Sequence, residues 1–84
     1  MDFNIVSIDG EFVSIEYEGK TYSFDGSKFN HNFTRVVQLF SEAKDRGDIS
    51  KVELKGDDVI KITFSYPYNN GGFNGGATLP FKLD

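Results

Sequence analysis

The chain contains no cysteine and only one histidine among its 84 residues. Without thiols there is no disulfide, no thiolate nucleophile and no thiolate metal site. That argues against a small secreted scaffold stapled by disulfides. The one histidine, His31, has no second histidine or nucleophile elbow beside it, so Ser–His and Cys–His chemistry is poorly supplied. Between Asn30 and Asn32 at a helix start, it reads as a surface or capping residue, because no carboxylates are spaced near it as a metal motif. No run of residues approaches the ~20 apolar positions of a membrane span, and the first residues carry no stretch of signal-peptide type. A GxxxxGK[ST] phosphate loop is also missing. Asp57-Asp58 is a paired carboxylate, but its place after Gly56 is explained by turn chemistry. These absences lead to the expectation of a non-enzymatic, cytosolic protein with no cofactor, no metal and no membrane partner.

What is present is a strong pattern of short strands around one helix. Eighty-four residues make one domain, 1–84. A chain of this size buries roughly 60–65% of its unfolded surface, so the core depends on large side chains. Nine Phe and four Tyr supply them. Asn30–Gly47 reads as the helix. Phe33, Val36, Val37 and Phe40 recur at i, i+3, i+4 and i+7, with Ala43 one turn on. Ser27, Asn30 and Asn32 are alternative N-caps, and Gly47 suits a left-handed C′ position. Lys44 and Arg46 complement the dipole at the last turn, and Glu42 is spaced i, i+4 from Arg46.

Three strands precede the helix: Phe3–Ile8, Glu11–Tyr17 and Lys20–Phe24. Asp9-Gly10 and Glu18-Gly19 are the tight turns between them, the second weaker because Glu seldom adopts positive φ. Two-residue loops at these points pair Ile8 with Glu11, Val6 with Val13, Ile15 with Tyr22 and Val13 with Phe24. One face then collects Val6, Ile8, Val13, Ile15, Tyr17, Tyr22 and Phe24, and that face meets the helix. The same register leaves Phe3, Ile5 and Phe12 on the opposite face. Three large apolar groups there need a cover. The cover is the C-terminal strand or a loop, or a second copy of the chain or another partner; otherwise a bulge near Ile5-Val6 alters the register.

Three strands follow the helix: Ser50–Lys55, Val59–Tyr66 and Ala77–Leu83. A three-residue loop at Gly56-Asp57-Asp58 sets Leu54 opposite Ile60, Val52 opposite Ile62 and Glu53 opposite Lys61. Pro80 cannot donate to a ladder, which predicts an edge strand or a bulge for the last strand. Residues 67–76 form a Gly/Asn-rich connection. The expected fold is α+β, a single βββαβββ domain, with antiparallel sheet or sheets packed around one central helix.

The net charge of −4 lies in the first thirty residues, where six acids face Lys20 and Lys28. The remaining residues are balanced. An acidic surface repels nucleic acid and steers basic partners inward. The expected contact residues are Asp9, Glu11, Glu16 and Glu18 on the first hairpins, with Tyr68, Asn70 and Phe73 as anchors in the Gly/Asn-rich loop. The expected partner is a protein with a basic surface, not nucleic acid. The function expected is that of an inhibitor, phage- or bacteria-encoded, which occupies the basic or nucleic-acid-binding surface of a restriction, CRISPR-type or toxin protein. The alternative is an assembly module that pairs with itself as a homodimer through Phe3, Ile5 and Phe12.

Overall fold

The central contact of the fold is the Phe40 ring, which meets Phe3 at 5.9 Å, Phe64 at 5.6 Å and Phe81 at 5.6 Å between centroids. The computed structural model describes residues 3–29, 32–67 and 74–84. Along the chain come β1 (Phe3–Asp9), β2 (Phe12–Tyr17), β3 (Lys20–Asp25), a 3-10 turn (Gly26–Lys28), α1 (Phe33–Arg46), β4 (Ile49–Lys55), β5 (Val59–Pro67) and β6 (Asn74–Leu83). All six strands join one antiparallel sheet in the order β1-β2-β3-β6-β5-β4. The two strand triplets therefore form a single sheet, joined at the β3–β6 seam. One helix about 10 Å wide cannot cover six flat strands spaced ~4.8 Å apart. The sheet curls around α1 instead, so that rings from β1, β5 and β6 all reach Phe40.

The helix begins where Asn32 accepts a bond from the Thr34 amide at 3.2 Å, so Asn32 is the N-cap among the three alternatives. His31 and Asn30 lie outside the described residues. Val37, Phe40 and Ala43 are buried, with Phe33 and Val36 packed at the margin and Leu39 buried beside them. Gly47 ends the helix at φ 81, and the Asp48 amide donates back to Ala43 O at 2.8 Å. Arg46 pairs with Asp48 at 2.8 Å, not with Glu42.

The β2–β3 and β4–β5 registers match the pairing derived from their turns, including Ile15↔Tyr22, Val13↔Phe24, Leu54↔Ile60 and Glu53↔Lys61. The β1–β2 register does not. Asp9 pairs with Phe12, so the loop is Gly10-Glu11, with φ 60 at Gly10 as a glycine-first type II′ turn requires. Ile8 faces Val13, a bulge follows at Val6, and Ile5 then faces Ile15 and Phe3 faces Tyr17. The physical reason is a conflict of parity. Phe3 and Ile5 alternate out of step with Ile8, and one extra residue lets all three point to the helix side. Val6, expected in the core, is 60% exposed, while Phe3 is 3% exposed and stacks on Phe40. The apolar rear face of Phe3, Ile5 and Phe12 does not form. Phe3 is buried and Ile5 half-buried, and Phe12 is exposed, so the face suggested for a homodimer is not built from these three residues.

Candidate functional site: a cleft at the β3–β6 seam

Strand β6 is interior in the sheet order, but Pro80 lies where its β3 side is unpaired, so locally it has the edge setting that a missing N–H requires, and it shapes the seam. Amide directions alternate along a strand. The Leu83 amide donates to Asp58 O at 2.7 Å on the β5 side, and the Asp84 amide donates to Thr21 O at 3.1 Å on the β3 side. Even-numbered residues of β6 thus direct their backbone toward β3. Lys82 finds Ser23 there. Two residues earlier the position opposite Asp25 belongs to Pro80, which has no N–H to give. Strand pairing between β3 and β6 stops at Lys82, and the seam opens into a cleft of about 320 Å³.

Phe12, Phe24, Phe29 and Pro80 supply the apolar walls, with Ser23, Asp25, Lys28, Lys82 and Asp84 around them. Phe29 remains 45% exposed although its ring stacks on Phe24 at 5.7 Å and meets Phe33 at 5.1 Å. Phe12, on the outer sheet surface, is 44% exposed. The polar groups are held in place. The Ser23 hydroxyl donates to Asp84 Oδ2 at 2.8 Å and lies 3.2 Å from the Ser14 hydroxyl. The Ser27 hydroxyl donates to Asp25 Oδ1, and the Ser27 amide donates to the same oxygen at 3.0 Å. The hydroxyl bond is the main cause that holds the Asp25 carboxyl below its ordinary value of 3.8; partial desolvation acts against it, and the amide bond and Lys28 assist. Asp25 is therefore ionised at neutral pH.

A shallow hollow adjoins the cleft and shares Phe12 and Asp25 with it. Asp9, Glu11 and Asp25 contribute its carboxylates. Glu11 is anchored there: its side chain accepts from the Thr34 hydroxyl at 3.3 Å, and its carbonyl accepts from the Gly26 amide at 3.0 Å. The structure thus brings together Asp9 and Glu11 of the expected contact set and adds Asp25. It does not bring in the other two acids. Glu16 sits at mid-strand opposite Asn4 and Thr21. Glu18 lies in the turn at the far end of β2, roughly 23 Å from Glu11 at the rise of an extended strand. Tyr68, Asn70 and Phe73 lie outside the described residues.

Phe29, Lys28, Pro80 and Lys82 were not legible as site residues. The one available signal was Pro80 inside a strand pattern. On the remote edge, Lys55 donates to Glu53 at 3.0 Å and Lys51 lies 3.5 Å from the same oxygen, and chiefly the Lys55 bond lowers the Glu53 carboxyl below its usual value. Among the described residues no three potential ligands converge as a metal site, and no helix is long and apolar enough to cross a membrane. Comparison with protein-family models, curated proteins and solved structures yields no match to this chain.

Proposed function

We propose that the protein is a small non-catalytic binding domain that acts in the cytosol as an inhibitor, by occupying a basic surface of another macromolecule. The observation that carries this reading is the grouping of Asp9, Glu11 and Asp25 about the exposed Phe12 ring, next to an apolar cleft. Hot spots of binding commonly set an aromatic anchor beside charged groups that orient the partner. A second observation supports it. Glu18 is held at φ 52, a left-handed conformation that costs a side-chain-bearing residue roughly 1 kcal/mol. Glycine or asparagine would relax that turn, so an acid there fits a role outside folding. Glu16, exposed at mid-strand on β2, and Glu18, in the turn that follows, carry acidic charge beyond the hollow, and a basic surface is complementary to it.

The test is an affinity pull-down from a cell lysate over rising salt, read by mass spectrometry. The captured protein is expected to carry a basic surface. Its recovery should fall as salt screens the contact, and fall again when Glu11, Glu16 and Glu18 are replaced by Lys. Recovery indifferent to both changes rejects the electrostatic docking.

A further inference from the structure

Among the described residues, strand edges lie open along β1, along β4 and along β6 beyond the seam, and they are not alike. β1 carries a bulge at Val6 and ends in Asp9. β4 carries a register shift between Ile49 and Lys51 and presents Lys51, Glu53 and Lys55. Bulges and charges are the devices that keep a sheet edge from pairing with other chains. β6 from Gly75 to Leu79 has neither. Its sequence is Gly-Gly-Ala-Thr-Leu, unbroken in register against β5, and Pro80 blunts only its inner end. The alternation that sends the Leu83 amide to the β5 side sends those of Gly76 and Thr78 the other way. No described strand pairs with β6 there, and both residues are exposed. Among the described residues their amides and carbonyls have no backbone partner, and they form a short row that leads into the Pro80 cleft.

We infer that this edge is a strand-addition site for an extended segment of a partner protein. The segment pairs with Gly76 and Thr78 along the line that β3 would follow beyond Asp25. Its main-chain groups supply the hydrogen bonds that β3 cannot, and alternate side chains supply specificity. One apolar side chain enters the cleft against Phe12, Phe29 and Pro80. A neighbouring Lys or Arg turns toward the hollow of Asp9, Glu11 and Asp25. This inference rests on the reading of the protein as a binder of a basic partner, and it gives that partner its form.

Amide hydrogen exchange on the free protein tests the edge first. The Gly76 and Thr78 amides should exchange on the order of 100-fold faster than those of Ala77 and Leu79, which face β5. Equal protection means the edge is already covered and overturns the inference. The second measurement selects binders from a displayed library of random peptides of roughly ten residues and repeats the exchange with each synthetic peptide. Enriched peptides should carry Lys or Arg beside an apolar residue and slow Thr78 exchange at least tenfold. They should bind Thr78→Val, which keeps the amide, and lose Thr78→Pro, which lacks the outward donor; both variants lose the Thr63 hydroxyl bond, so the difference between them reports the backbone. A library without enrichment, enriched peptides that leave Thr78 exchange unchanged, or retained binding by a folded Thr78→Pro protein each overturn it. So does a dimer in sedimentation whose Thr78 amide is protected, because the edge then belongs to a second copy. A salt-indifferent pull-down with a fast Thr78 amide removes the basic partner alone, whereas a protected Thr78 removes the edge alone.

Discussion

At the scale of single residues, Glu18 and Asp25 make opposite trades between backbone and side chain. Glu18 and Gly19 both have positive φ, 52 and 79, as a type I′ turn demands. Glu18→Asn should therefore raise stability by about 0.5–1 kcal/mol in chemical denaturation, while weakening any contact that uses the acid. An unchanged midpoint would show that the turn is not strained. Asp25 is set by its partner Ser27. Its folded pKa is depressed, so the bond contributes stability that is complete above about pH 4 and is lost as the pH falls through the folded value. Ser27→Ala should move the Asp25 titration up toward 3.8 in an NMR pH series and flatten the acid limb of the stability curve. Gly26 is constrained by space. A Cβ there would sit 2.6 Å from Phe33 Cβ and 3.1 Å from Glu11 O. Gly26→Ala should cost about 1–3 kcal/mol, because neither the helix nor the β2 backbone yields freely. None of these constraints was visible from local sequence except the preference against Glu in a tight turn.

At the scale of elements, β1 separates what periodicity can and cannot decide. The β4–β5 hairpin was legible because its two alternating patterns agree with one loop length, and Leu54↔Ile60 through Glu53↔Lys61 all hold. β1 contains two alternating patterns of opposite parity, Phe3 with Ile5 and Val6 with Ile8. Local sequence does not say that Val6 leaves the helix side while Phe3, Ile5 and Ile8 keep it. The larger ring wins because Phe3 reaches Phe40 and lies beneath Lys44, whose Nζ is 5.2 Å from the ring centroid. Phe3→Ala should cost about 3–5 kcal/mol, whereas Val6→Ala should stay within about 0.5 kcal/mol, both by denaturant unfolding. The straight register without a bulge predicts the reverse order. Helix α1 was legible for a related reason. Its apolar stripe is consistent along its length, and Gly47 gives it a definite end.

On the scale of the whole molecule, the candidate site comes from the seam where the two triplets join. Leu54 shows the limit of one helix: it faces the same side as buried Ile60 yet is 52% exposed at the sheet margin. Asp9, Glu11, Phe12 and Asp25 gather at one end of the sheet because β1, β2 and β3 meet there, and Pro80 joins them only through the β3–β6 pairing. The amino-acid sequence by itself determined the βββαβββ order, the buried helix stripe, two hairpin registers and the acidic first third, because each depends on neighbours within a few residues. Only the tertiary structure decided the strand order, the inward turn of Phe3 and Ile5, and the opening beside Pro80. Each of those depends on contacts between segments far apart in the chain: Phe3 with Phe40, Ser23 with Lys82, and the missing bond between Asp25 and Pro80. Long-range pairing is chosen by the area it buries and the hydrogen bonds it completes, and a local pattern carries no record of either.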